Sequence, residues 1–420
     1  MWTEPAFSRY EALLKRLHDL NLEDKLDSPE ADLVREDMEE PWSSLVDSER
    51  AVLAGLSSDL YSFSREEVTR DSDLDKIELV KRPGTAYQNR DWRGLLEALR
   101  FTHQYFPAEQ VAYMRARCWQ QLGRPEPAFW FFDRAHKLAP SSGSYAFLRL
   151  DALFRASHRQ EAFAEAQQLL LKDAAPAPLL FGATKVIYDS AAGLPLEESR
   201  SLYESIVAAV SAALRTIDHS EAIEATMPQS LILSGRLHLA LALERLGTSE
   251  AAMQAYADAI AHHPNSDELL MARALFLLRT DQHAAAQKDL DALIGRGTNL
   301  ASAYLFRAHR FLMQKDYARC LEVADRGLRV ATHTATRVMF LEWIAISLYE
   351  LLYERRASLD GVRSYLEAAL SLDPMNENVR SNLQALDRVS FTSHPSLTTQ
   401  VVPDPSAALQ DLRNQLQPAA

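Results

Sequence analysis

The amino-acid sequence predicts an all-α chain: helix–turn–helix pairs stacked into a solenoid of about five to seven units, some degenerate, behind a small acidic helical segment. Three observations point there. Glycine is scarce, 13 of 420 residues, less than half the usual share of about 7%. Glycine serves positive-φ turns and close backbone approach, so its shortage disfavours sheet-rich folds and glycine-loop nucleotide enzymes. The chain also repeats itself, QLGRPEPAFWFFDRAHKLAP (121–140) aligning without a gap with RLGTSEAAMQAYADAIAHHP (245–264). Outside the repeats, apolar residues recur at helical spacing behind helix-capping residues.

The aligned pair fixes the unit. Each copy has Gly (123, 247), then Ala (128, 252), a ring (Phe132, Tyr256), a second Ala (135, 259) and Pro (140, 264) at matching positions. Glycine permits the turn, the small alanines let helices approach, the ring fills the gap and proline stops the helix. These residues resemble the second helix of the tetratricopeptide repeat, a helix–turn–helix unit of 34 residues. In that register, repeats fall at Glu109–Ser142, Gly143–Pro176, Leu233–Ser266, Asp267–Leu300 and Ala301–Thr334, with a degenerate unit around 364–383. A lone second-helix match precedes them, from Trp92 through Leu95 and Leu99 to Pro107.

Two departures qualify the resemblance. Residues 177–232 break the period, and Leu196 to Ile217 reads there as one long amphipathic helix, a stretched repeat or a hinge. The Trp, Leu and Gly of the family's first helix are mostly absent. Arginine recurs instead at Arg115, Arg149, Arg273 and Arg307, each pair 34 apart, which fits a stem lying along the helix pair better than a binding stripe.

The expected organisation is an acidic helical segment at 1–75, the repeat array at 76–388, a disordered linker at 389–404 and a short amphipathic helix at 405–420. Residues 1–75 hold 20 Asp+Glu against 8 Lys+Arg, almost the whole of the net charge of −13. Three helices are expected in the acidic segment: Glu4 to Leu20, Ser28-capped Pro29 to Glu40 stopping at Pro41, and one opening at Asp47 or Ser48. The string at 27–61 resembles an acidic segment of bacterial proteins that carries no known activity. It reads as a small helical cap or appendage, or as an acidic docking module or self-inhibiting segment that covers the groove. Asn376 to Arg388 reads as a solvating cap helix. Ser, Thr, Pro and Val then set the linker composition, and Ser406 caps the last helix, with Leu409, Leu412 and Leu416 on one stripe.

Composition excludes several classes. A net charge of −13 repels phosphate backbones, so no nucleic acid is expected. The longest apolar stretch, Leu231 to Leu243, contains Arg236 and His238 and is too short to span a bilayer, so no membrane partner is expected. Two cysteines, Cys118 and Cys320, and the absence of a signal peptide fit a cytoplasmic protein. No phosphate loop, dinucleotide loop, nucleophile elbow or zinc-helix motif occurs. The one close His pair, His262-His263, is adjacent on a helix end rather than spaced for a metal. No enzyme activity, cofactor or metal is therefore expected. The runner-up is an enzyme or small-ligand regulator whose site lies in the acidic segment or in 177–232.

The resemblance implies a partner groove lined by first helices. By register, one lining position is filled by Tyr113, Phe147, Leu237, Met271 and Leu305, and the position four later includes Arg117, Asp151 and His309. The front half mixes rings with charge and the rear half is aliphatic, which suits a protein or peptide segment with an apolar or amphipathic face. The Lys and Asn with which chaperone-binding family members grip a C-terminal carboxylate are absent there. The expected function is a non-catalytic adaptor or assembly scaffold, with self-association compatible. Tyr113, Arg117 and Asp151 are the strongest groove candidates, because charged groups are seldom fully buried.

Overall fold

A computed structural model describes residues 4–61, 73–156, 158–171, 175–219, 229–353, 355, 357–389, 395–399 and 405, with the backbone alone at 4 and 73–80. Among them there are 20 α-helices and no strand. The chain divides into two compact units, residues 1–193 and 194–419. The division falls inside the stretch that breaks the repeat period.

The first unit runs α1 (Glu4–Leu22), α2 (Pro29–Ser44), α3 (Asp47–Tyr61), α4 (Asp73–Gln88), α5 (Trp92–Thr102), α6 (Ala108–Gln121), α7 (Pro125–Leu138), α8 (Gly143–Arg155), α9 (Arg159–Leu170) and α10 (Ala177–Ala191). Ser28 caps α2 through Ala31 N–H, as its sequence suggests. The helix does not stop at Pro41 but continues to Ser44, with Pro41 buried. A proline this near a C-terminus removes one backbone donor, and its ring gains an apolar site. The lone second-helix match is α5, and it has a partner: α4 packs against it.

The second unit runs α11 (Leu196–Asp218), α12 (Gln229–Arg245), α13 (Ser249–His262), α14 (Asp267–Arg279), α15 (His283–Gly295), α16 (Ala301–Met313), α17 (Tyr317–Val330), α18 (Thr334–Tyr353), α19 (Asp360–Leu372) and α20 (Glu377–Leu386). The long helix expected from Leu196 is α11, with Tyr203, Ile206, Val210, Leu214 and Ile217 buried. The short C-terminal helix expected from Ser406 lies outside the described residues.

In both units successive helices pack against one another in pairs. The repeat alignment explains the packing: Ala128, Phe132, Ala135, Ala252, Tyr256 and Ala259 are all buried. Gly123 and Gly247 sit at φ +74° and +76° in the turn between the helices of a pair. The same turn position is held by Asp281 (φ 57°) and Lys315 (φ 58°) in the next two repeats. There a side chain occupies the left-handed region at a steric cost.

The recurring arginines join neighbouring helices. Arg149 on α8 reaches back 16 residues to Asp133 on α7 (2.8 Å) and forward 16 to Glu165 on α9 (2.8 Å). Arg273 on α14 reaches forward to Asp289 on α15 (2.7 Å), and Arg307 on α16 back to Asp291 on α15 (2.6 Å). Each is more than half buried.

The acidic segment packs against α5, α6 and the turn that follows α6. Glu11 on α1 pairs with Arg124 (2.8 Å), whose guanidinium lies 4.1 Å above the Phe7 ring. Asp59 on α3 takes Arg100 Nε (3.0 Å), while Arg115 donates to the Asp59 carbonyl (3.0 Å). Asp59 and Arg115 are fully buried. Burial lifts the Asp59 carboxyl above its ordinary range, against the pull of Arg115 and Arg100.

Candidate functional site: the first-helix faces

The structure sorts the eight expected groove residues by burial. Phe147, Leu237, Met271 and Leu305 are buried. At helical spacing they point into the seam between helix pairs, where an apolar side chain is most stable. Asp151 is buried too, at 2% exposure, although a carboxylate was expected to keep to the surface. Lys185 on α10 reaches it at 2.6 Å and Arg155 at 2.9 Å. Burial alone would push the Asp151 carboxyl up, but the two cations outweigh it and hold the pKa below its ordinary value. A buried charge persists only when paired in this way.

Three candidates keep part of their surface. On α6, Tyr113 packs against Phe132 (ring centroids 6.2 Å) and Tyr145 (5.8 Å). One turn later, Arg117 donates to Gln120 (2.9 Å). On α16, His309 lies against Trp343 of α18, ring centroids 5.7 Å apart. Burial, and then Arg310, lower the His309 pKa and favour neutral imidazole. The eight thus form no single surface: two remain on the first-helix face of unit one and one on that of unit two.

The sequence reading missed what lies beside His309. Residues Pro395–Thr399, assigned to the linker, run along α18 and α20. Tyr349 donates its hydroxyl to the Pro395 carbonyl (2.9 Å), and Trp343 Nε1 donates to Thr399 Oγ1 (2.8 Å). Asn382 on α20 makes a two-point contact with one residue of the segment: its Oδ1 accepts the Thr398 N–H (2.8 Å) and its Nδ2 donates to the Thr398 carbonyl (2.8 Å). Asn378, one turn earlier, donates to the same carbonyl (3.1 Å) and accepts the Thr398 hydroxyl (2.6 Å). Both asparagine amides also donate to the buried carboxylate of Glu342 on α18.

Burial along the segment alternates. Pro395, Leu397 and Thr399 are half-buried, while Ser396 and Thr398 are exposed, as in an extended strand with one face covered. Leu397 packs against the apolar clusters built around α18. Pro395 sits at Tyr349 and Thr399 at Trp343, so the segment runs antiparallel to the helix.

The match with known proteins lies in the same unit. The tetratricopeptide repeat family model matches residues 233–276, spanning most of α12, all of α13 and most of α14. This stretch is a tetratricopeptide repeat. The helix pairs on either side of it in the second unit repeat the same helix–turn–helix arrangement. Among solved structures, a tetratricopeptide repeat protein from Parabacteroides merdae is similar at 13% identity, over 65% of this chain and 98% of that one, TM-score 0.43. Yeast Tom70 is similar at 14% identity, over 82% of this chain and 76% of that one, TM-score 0.30. The P58(IPK) TPR domain is similar at 12% identity, over 83% and 80%, TM-score 0.24. No curated protein matches in sequence.

Among the described residues, no group of three or more His, Cys, Asp or Glu is placed to hold a metal ion. No helix among them is long and apolar enough to cross a membrane. Cys118 and Cys320 are both buried, and burial raises both thiols, Cys320 to about 11.

Proposed function

We propose that this protein is a non-catalytic adaptor or assembly scaffold that holds a protein or peptide segment on the face formed by its first helices. The observation that carries the reading is the Pro395–Thr399 segment. It is an extended stretch of chain held on α18 and α20 largely through its own backbone. A surface that satisfies backbone groups of an extended strand suits peptide recognition, because those groups are common to every sequence while side-chain pockets add selectivity. The half-exposed ring and cation pair Tyr113 and Arg117 extends the reading to unit one, where an amphipathic partner would find an apolar face and a charge.

The test is capture from native lysate by full-length protein, by Tyr113→Ala/Arg117→Glu and by Trp343→Leu/Asn382→Ala, identified by mass spectrometry. Partners retained by the wild type and lost from either variant support the adaptor. The same protein set on all three chains and on an unrelated control sinks it.

The second reading is a small-ligand regulator. It rests on a cavity of about 270 Å³ between α3, α5 and α6, lined by Arg93, Arg100, Arg124 and Trp119. A metabolite that raises the melting temperature of wild type but not of Arg93→Ala would favour it.

A further inference from the structure

We propose that the α18–α20 face is a recognition site for a neutral, extended, hydroxyl-bearing segment, and that residues 395–399 are its resident occupant. A partner would then bind unit two only by displacing the chain's own tail. The inference rests on the adaptor reading for its purpose and on separate geometry for its content.

The selectivity follows from Glu342. Its Oε1 accepts from the Nδ2 groups of both Asn378 and Asn382, which fixes which way each amide points. Each Oδ1 is left facing the segment, where it needs a donor. Thr398 supplies two, its N–H to Asn382 and its hydroxyl to Asn378. Trp343 Nε1, donor only, needs an acceptor and finds the Thr399 hydroxyl. The site therefore asks for an apolar residue at position 397 and hydroxyls at 398 and 399. Aspartate, glutamate or phosphothreonine at position 398 would lose the hydroxyl donor and set lone pairs against the Asn378 Oδ1.

The tail is a weak occupant in a strong position. It is held by neutral hydrogen bonds and one half-buried leucine, each a modest contribution. Its attachment close after α20 nevertheless gives it an effective concentration on the order of millimolar. A free segment with the same contacts competes poorly until the tail lets go.

The experiment uses the full-length chain and a fluorescent peptide of residues 393–401, followed by anisotropy. Leu397→Asp/Thr398→Pro unhooks the tail, since proline has no N–H for Asn382 and aspartate opposes the apolar clusters. The peptide should bind this variant at least tenfold more tightly than it binds wild type. Adding Asn382→Ala should remove the gain, and a peptide with glutamate in place of Thr398 should not bind. Equal binding to both chains, or binding indifferent to Asn382→Ala, overturns the proposal.

A measurement on the unaltered chain guards against misfolded variants. The Thr398 amide should exchange with deuterium at least tenfold more slowly than an unstructured amide, and exchange at the unstructured rate overturns the proposal as well. The two readings fail separately. Peptide binding without any lysate partner would leave the self-occupied site and sink the adaptor, whereas Tyr113-dependent capture without peptide binding would do the reverse.

Discussion

The two ends of the chain are both tied to their own helix arrays, but by opposite kinds of chemistry. At the N-terminal end the ties are buried charges: Asp59 with Arg115 and Arg100, and Glu11 with Arg124. At the C-terminal end they are amide, indole and hydroxyl groups on a half-exposed strand. A buried ion pair is dangerous to open, because each partner alone is a desolvated charge. A neutral hydrogen bond exchanges readily for water. The acidic segment is tied into unit one by paired charges, whereas the proposed occupant of unit two is tied by neutral groups that water can replace.

The sharpest way to break that contrast is to remove one partner at each end. Asp59→Ala leaves the fully buried Arg115 without its carboxylate and should cost about 3–5 kcal/mol in urea denaturation. Acid probes the same end. Burial lowers His18 from 6.5 to about 4, with Lys15 adding to the effect. A histidine whose folded pKa is depressed is neutral when folded, so the unfolded chain takes up the proton first. Stability should therefore fall as pH drops from about 6.5 to about 4, by up to about 3 kcal/mol, and His18→Gln should flatten that limb of the pH profile.

At the other end, Thr398→Pro removes the N–H that Asn382 accepts and should cost only about 1 kcal/mol of global stability while freeing the tail. If it costs as much as Asp59→Ala, the tail belongs to the fold and the contrast fails. The smallest effect is a gain. Lys315→Gly relieves a left-handed residue in an exposed turn and, after glycine's extra unfolded-state entropy, should raise stability by about 0.5 kcal/mol, read as a higher melting temperature.

These turns also show how far the fold was legible in the sequence. Gly123 and Gly247 announced the repeat because glycine is the residue that the left-handed position prefers. Asp281 and Lys315 hold the same conformation without announcing it, and the register there had to be counted from neighbours. Arg149, Arg273 and Arg307 are visible as a period, whereas their acceptors Asp133, Glu165, Asp289 and Asp291 sit among many other carboxylates. A fixed offset of 16 residues, forward or back, would have found all four.

The candidate site was less legible. Asp151 looked like surface because nothing local predicts that Lys185, 34 residues on, would neutralise it. The tail looked like linker because Ser, Thr and Pro report only that a segment cannot build its own core. That Asn378 and Asn382, four apart on one helix face, would supply its backbone partners is a tertiary fact that composition does not carry.

The arginine bridges carry a consequence for modularity. An array with a constant period invites the view that its units are beads, removable and reorderable without penalty. Excising residues 267–300 would keep every helix in phase. It would also bring Ala257 to the place of Asp291, opposite the nearly buried guanidinium of Arg307, and Met313 to the place of Arg279, opposite the largely buried Glu244. The splice would leave one stranded cation and one stranded anion on either side of the new seam. Each unit is written in a grammar that only its own neighbours can complete, and the order of the repeats is therefore as much a part of the fold as their shape.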